Sequence, residues 1–199
     1  IGISRNSVDA WTSPQLLNLD ASAGAPPDDF SVLGQNWGFP TYNWPVMARD
    51  GFAWWKARFR KMSEYFDAYR IDHVLGFFRI WQIPLDAIHG LLGFFNPALP
   101  MTPDEMLHLY DFHFSAGYHA VPYIADWMLT DIFGEFTDQV RAEYLQPLDD
   151  DPSRYSLRPE FSTQRRIADY FAAQPSDQRS ERICNGLMEL LDQVLFIAD

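Results

Sequence analysis

Arg70, Ile71, Asp72 and His73 are the residues of this sequence best suited to bond chemistry. In extended backbone, residues two apart share a face. A strand over about residues 69–74 therefore sets the Arg70 guanidinium beside the Asp72 carboxylate. A neighbouring cation favours the ionised carboxylate, and a forked guanidinium limits how it can turn. Charge, aim and restricted motion are what a carboxylate nucleophile needs. The same residues also fit a purely structural ion pair at a strand end, because such pairs perturb carboxylates too. His73 is of interest because it adjoins Asp72, and the run from Val74 to Trp81 that follows is mainly apolar.

A second stretch offers groups of another kind. Between about residues 20 and 45 the chain reads Gly24-Ala25-Pro26-Pro27-Asp28-Asp29-Phe30, then Gln35-Asn36-Trp37-Gly38-Phe39-Pro40-Thr41-Tyr42-Asn43-Trp44-Pro45. Proline fixes φ while glycine and aspartate favour turns, so this reads as a loop of roughly twenty residues, a length that points to function. Trp37, Phe39, Tyr42 and Trp44 are interleaved with the carboxamides of Gln35, Asn36 and Asn43. Aromatic faces stack on sugar rings, and amides bond their hydroxyls. A loop that folds its rings over a core edge has the same composition, and both readings stand.

Other chemistries find less support. His73, His89, His108, His113 and His119 have no metal-ligand spacing and no cysteine beside them. No metal and no cofactor is expected. There is no phosphate-binding glycine loop and no Gly-x-Ser-x-Gly elbow. The acidic turn from Pro147 to Pro152 lacks the alternating ligands of a calcium loop. Cys184, the single cysteine, excludes an internal disulfide and fits a reducing compartment. A formal charge of −12 opposes nucleic acid and anionic membrane surfaces. No apolar run reaches membrane-span length.

The elements that must position these groups follow from periodicity and caps. The 199 residues, 47% hydrophobic, suffice for one domain with a core. Ile1–Ser4 reads as the tail of a strand. Asp50 reads as the cap of a helix whose Phe52, Trp55, Phe59, Met62 and Phe66 form a core-facing stripe. That helix, followed at once by the Arg70–Val74 strand, has the rhythm of an α/β fold, in whose barrels active groups sit at the C-terminal ends of strands. Thr102-Pro103-Asp104-Glu105 is a helix start with a capping box. Helices are expected over Trp127–Phe133 and Phe136–Leu145, from Ser162 or Thr163 to Phe171, and from Pro175-Ser176 with Ile183, Leu187 and Leu191 on one face. Val194–Ala198 fits either the end of that helix or a short buried strand.

The loop and the Arg70–His73 stretch together resemble the 4-α-glucanotransferases of glycoside hydrolase family 77, the amylomaltases or disproportionating enzymes. The matching residues are Gly24-Ala25-Pro26-Pro27-Asp28, Phe30-Ser31, Gly34-Gln35, Trp37-Gly38, Pro40, Tyr42, Trp44 and Arg70-Ile71-Asp72-His73. Gly76-Phe77-Phe78-Arg79-Ile80-Trp81 with Ile83-Pro84 is similar to the branch that includes the plant cytosolic enzyme and bacterial relatives with starch-binding modules. Gln82 stands where glutamate is expected in that branch.

The resemblance implies an α/β fold, part of a (β/α)8 barrel. Residues 1–98 would hold the barrel part and 99–199 a largely helical insertion. It implies Asp72 as nucleophile, Arg70 and His73 beside it in the donor subsite, Phe30, Gln35, Trp37 and Tyr42 over the acceptor side, and Asp9 near the acceptor subsites. The implied reaction is a retaining transfer of α-1,4-glucan segments to a glucose-type acceptor, in the cytoplasm. The acid/base glutamate is expected beyond this chain, in the rest of a longer polypeptide, and the chain alone is expected to be inactive. Another α-amylase-clan enzyme, or a non-catalytic glucan-binding module, is the alternative.

Overall fold

Gly24 of the Gly-Ala-Pro-Pro-Asp stretch lies in a strand where a larger residue has no room. A Cβ there would stand 2.1 Å from the Gln35 carbonyl oxygen and 2.5 Å from Ile83 Cδ1. The computed structural model describes residues 2–197, and it resolves two compact units, Ile1–Leu85 with Gly93–Ala98 and Asp86–Leu92 with Leu99–Asp199. Helix and sheet are mixed in both.

The first unit runs through α1 (Val8–Thr12), β1 (Leu17–Asn18), β2 (Ala21–Ala25), β3 (Gln35–Asn36), β4 (Thr41–Tyr42), α2 (Trp44–Ala48), α3 (Ala53–Met62), β5 (Ile80–Pro84) and β6 (Phe94–Asn96). Its four-stranded sheet has the order β3-β2-β5-β6, with Gly24 opposite Asn36 on one side and Trp81 on the other. β1 pairs separately with β4. The residues of β2 are small because the sheet is tight there: Ala21, Ser22 and Ala23 are all buried.

Every strand pair described in this unit is antiparallel. A barrel of alternating strands and helices needs parallel neighbours, and no parallel pair occurs among the described residues. The stretch read as a loop from 20 to 45 contains β2, β3 and β4.

Two further expectations need correction. Arg70–Val74 is not a strand. Residues 70–72 are irregular, His73 takes a left-handed conformation with φ 50°, and Val74–Phe77 forms a 3₁₀ turn. A strand exists through its ladder, and among the described residues no strand pairs with this segment. The stripe on α3 is also not a core face. Trp55 alone is buried, Phe66 lies beyond the helix end and is exposed, and Phe59 stacks on Tyr69 at 5.2 Å. The N-cap of the helix is Phe52 rather than Asp50, although Asp50 Oδ1 accepts a hydrogen bond from Ala53 N at 3.0 Å. No strand includes residues 2–4, and 194–197 form neither helix nor strand. Ile1 and Ala198 lie outside the described residues.

The second unit holds α4 (Pro103–Tyr110), α5 (Ala116–His119), β7 (Ile124–Ala125), α6 (Asp126–Phe133), α7 (Thr137–Glu143), β8 (Leu145–Pro147), β9 (Arg154–Leu157), α8 (Gln164–Ala172) and α9 (Gln178–Asp192). The sheet β7-β9-β8 is antiparallel. Thr102 and Glu105 make the reciprocal capping box at α4. Thr163 and Asp177 cap α8 and α9 through their side chains. The apolar faces of α6, α8 and α9 close one core, in which Leu129, Phe133, Ile167, Leu187 and Leu190 are inaccessible to solvent.

A buried polar cluster tethers residues 86–92 within this unit. Gln164 Oε1 accepts hydrogen bonds from the amides of Ile88 and His89, both at 2.8 Å. Its Nε2 donates to Asp192 Oδ1 at 2.8 Å, and Asp192 Oδ2 lies 2.6 Å from His89 Nδ1. Both oxygens of the buried carboxylate are thus occupied, as burial of a charge requires.

Candidate active site

Ala23 is the anchor from which the site of the first unit is built. Its N–H donates to Phe39 O at 2.8 Å and its carbonyl accepts from Trp37 N at 3.0 Å, which pins the aromatic segment to β2. The intervening turns are made by the motif residues themselves. Asp28 Oδ1 accepts from the amides of Phe30 and Ser31, and Asn36 Oδ1 accepts from the amide of Gly38, whose φ is 75°. These are the side-chain-to-backbone bonds for which Asp and Asn are selected in turns.

The segment delivers Trp37 to His73. The two rings meet edge to face at 5.2 Å, while Phe39 stacks on Trp37 at 5.9 Å. Gln35 Oε1 accepts from Trp37 Nε1 at 3.0 Å and fixes the rotation of the indole. Trp37, Tyr42, Asp72 and His73 then line one pocket of about 70 Å³, together with Thr41, Trp44, Trp55 and Phe77. Among the described residues, Asp72 is the sole carboxylate in that lining.

His73 sits in a left-handed conformation that side chains other than glycine rarely adopt. Strain of this kind, of the order of 1–3 kcal/mol, clusters at functional sites.

Arg70 relates to Asp72 more loosely than a forked pair would. One contact, Nη2 to Oδ1, spans 3.5 Å, and both side chains are 89% exposed. An ion pair in that setting contributes little to stability. Asp72 is therefore open to an incoming molecule rather than buried under its partner.

Tyr42 lies deeper. Burial raises its phenol to about 12, with Asp9 adding to the rise and Arg58 opposing it. It stays a neutral hydroxyl at any physiological pH, able to donate and to accept. Asp9 does not line the pocket. It accepts from Trp54 Nε1 at 3.2 Å and faces Arg58 at 3.6 Å, and the Trp54 ring packs 5.9 Å from Tyr42. Asp9 thereby braces the ring behind Tyr42.

Phe30 is 97% exposed and away from the pocket, and Gln35 and Arg70 do not line it either. Trp44, one of the interleaved aromatics of the 20–45 stretch, lines it, as do Trp55, expected to face a core, and Phe77, which no spacing marks. Trp44 stacks near Trp55 at 6.0 Å and lies 5.6 Å from Phe77, so one aromatic cluster is both support and wall. The Trp55 indole N–H is buried and finds no acceptor among the described residues, which costs about 1–3 kcal/mol.

Among the described residues no group of three or more His, Cys, Asp or Glu is arranged to hold a metal ion, and no helix is long and apolar enough to cross a membrane.

The family model for 4-alpha-glucanotransferases of glycoside hydrolase family 77 matches residues 1–197. The chain belongs to that family. It is 39% identical over 205 residues to the 4-alpha-glucanotransferase DPE2 of Oryza sativa subsp. japonica, an alignment that takes in 100% of this chain and 21% of the rice protein. It is 43% identical over 90 residues to the 4-alpha-glucanotransferase of Streptococcus pneumoniae serotype 4, covering 42% of this chain and 18% of that one. The family member thus spans about a fifth of the length of these curated relatives. Among solved structures, an amylomaltase from Streptococcus agalactiae in complex with acarbose aligns with a TM-score of 0.46 at 23% identity, over 94% of this chain and 44% of that one.

Proposed function

We propose that this chain supplies the nucleophile and the acceptor-side aromatic wall of a 4-α-glucanotransferase acting on α-1,4-glucans. The observation that carries the reading is the convergence of Trp37, Tyr42, Asp72 and His73 on one pocket, from segments 30 residues and more apart in the sequence. Membership of the 4-alpha-glucanotransferase family supports the same reaction class.

In this reading Asp72 attacks the anomeric carbon of a glucosyl unit, forms a covalent ester and expels the glycosidic oxygen, which takes a proton from a general acid. The 4-hydroxyl of an acceptor sugar then gives its proton to the same group and attacks the anomeric carbon. The ester breaks and Asp72 is free again. Two inversions leave the α-configuration unchanged.

Such retention needs a second carboxyl about 5–5.5 Å from the nucleophile. The pocket lining offers none besides Asp72, so we assign the acid/base to the remainder of a longer polypeptide, with the barrel and a cytoplasmic setting as parts of the same proposal. Trp37 and Tyr42 favour a sugar over water at the intermediate, since aromatic faces stack on the ring and exclude solvent.

The test is Asp72→Asn in the intact protein. Maltotriose disproportionation is expected to fall by about 10⁴-fold or more, while maltotriose binding persists. Turnover that survives the substitution sinks the assignment. An unsubstituted intact protein that binds glucans without transferring them favours the non-catalytic binding module instead.

A further inference from the structure

Arg154 carries a charge that no neighbouring group pairs. It opens β9, and its backbone is fixed: its N–H donates to Asp151 O at 3.0 Å and its carbonyl accepts from Leu148 N at 2.9 Å. The guanidinium carbon lies 4.8 Å from the centre of the Tyr118 ring and 4.6 Å from that of Tyr123. Two rings therefore limit where the group can turn. Among the described residues the guanidinium makes no hydrogen bond and no ion pair, and its Nε is sealed from solvent. A buried donor left unmade costs about 1–3 kcal/mol, and more in a charged group. Arg141, Arg158 and Arg166 of the same unit each donate to carboxylates or carbonyls instead.

Arg154 lines a pocket of about 340 Å³ in the second unit. That volume falls in the range of about 300–1,000 Å³ typical of small-molecule sites. Val121, Pro122, Leu148, Leu157 and Leu191 supply apolar wall. Among the described residues no Asp, Glu or Lys and no second Arg lines it. Ser156 does, two residues along β9 and so on the same face as Arg154. Its Oγ accepts from Gln146 Nε2 at 3.1 Å, and its hydroxyl hydrogen has no acceptor among the described residues. The Tyr155 and Ser162 hydroxyls, also in the lining, already donate to Asp126 and to the Pro159 carbonyl. Asp151 stands outside the lining. Its carboxyl is held below the usual range by the Ser153 hydroxyl and amide first, and by the Arg154 charge only in small part.

The unmet capacity is one fork of N–H donors with one positive charge, one hydroxyl, and an apolar wall. A neutral polyol answers the hydroxyl and leaves the charge unmatched. A purely apolar molecule fills the wall and leaves the guanidinium unpaired. A phosphate monoester brings a charge of about −1.5 to −2 to a single cation, in a chain whose formal charge is already −12. A carboxylate fits: it carries one charge, and its two oxygens match the fork. A hydrocarbon body attached to it covers the wall and leaves water.

We propose that this pocket binds a small monocarboxylate with a branched or aromatic hydrocarbon body, its oxygens held by Arg154 and Ser156. The site belongs to the second unit and uses none of the residues placed around Asp72, so it stands whether or not the transferase reading does. Tyr118 and Tyr123 are positioning residues here: they hold the guanidinium by its face and leave its N–H edge for the ligand.

The experiment is calorimetric titration of the intact protein with 3-phenylpropanoate at neutral pH. Two further probes are 3-phenylpropanamide, which has the shape without the charge, and acetate, which has the charge without the body. A dissociation constant of about 1 mM or below is expected for 3-phenylpropanoate, with the amide and acetate at least about tenfold weaker. Arg154→Met keeps an apolar stem beside the two rings and is expected to weaken 3-phenylpropanoate by about tenfold or more. Gly117→Leu fills the pocket without touching the charge, because Gly117 lines it and a Cβ there meets nothing within 4 Å. It is expected to weaken the same ligand by about tenfold or more, and it decides the matter if melting shows that Arg154→Met does not fold. No saturable binding of 3-phenylpropanoate up to about 10 mM, the result expected if a segment of a longer polypeptide fills the pocket, overturns the proposal. So does equal binding of the amide or of acetate, or undiminished binding by the Gly117→Leu protein.

Discussion

The two units are stabilised in different ways. In the second, apolar faces of α6, α8 and α9 meet in a core with five large side chains sealed from solvent, four of them aliphatic, and α8 and α9 begin at side-chain caps. In the first, strands of two to five residues and a run of ring contacts, Tyr42 to Trp44 to Trp55 to Phe59, take the place of such a core. Its small aliphatic cluster is Ile3, Ala10 and Leu17. Aliphatic packing is close and indifferent to chemistry. Aromatic packing leaves flat faces and polar edges that also serve a ligand. The unit with Asp72 thus draws part of its stability from the groups it would use on a substrate.

Four substitutions probe that contrast. Leu187→Ala opens a cavity in the sealed core and is expected to cost about 2–5 kcal/mol by denaturant unfolding. Exchange protection should drop at the amides of α6, α8 and α9 and persist at those of β2 and β5; an equal drop in both sets would break the contrast.

Gly24→Ala is the counterpart in the other unit. The added methyl meets the Gln35 carbonyl, a backbone atom that moves only if β2 and β3 part. A loss of about 1–3 kcal/mol is expected, with faster exchange at Trp37 N, which depends on Ala23 O. Unchanged exchange there would show that the aromatic segment holds without its anchor.

The smallest effect is alkaline. Burial raises Tyr42 and Tyr144, one in each unit, from 10.0 to about 12. The folded form keeps its proton when the unfolded chain has lost it. The stabilisation is whole below pH 10 and is lost as pH rises towards 12. Tyr42→Phe and Tyr144→Phe should each flatten that decline. If only Tyr144→Phe does so, the ring network of the first unit is already open in base.

Legibility divided along the same line. Thr102 with Glu105 announces a helix start because a capping box is a local signal, and Ile183, Leu187 and Leu191 announce a buried face because the core rewards that spacing. The α3 aromatics have the same spacing, yet only Trp55 is buried. Periodicity records which residues align, not what they meet. Arg70–Val74 reads as extended, but His73 turns the chain at φ 50° and Gly76 closes a 3₁₀ turn. Within the site, Trp37, Trp44 and Asp72 are readable as types, whereas Trp55 and Phe77 join them through contacts distant in the sequence. Asp9 was read as a site residue, and it stands behind Tyr42, holding Trp54.

The route of the chain between β5 and β6 has a practical result for anyone dissecting the protein. It leaves the first unit after Leu85, lends Asp86–Leu92 to the second and returns at Gly93. No single cut yields both halves whole. A protein begun at Leu99 would lack His89 and the amides that occupy Gln164, and would expose a carboxamide and a carboxylate that the native molecule keeps paired. A circular permutant, or an expression boundary set before Asp86, respects the interleaving.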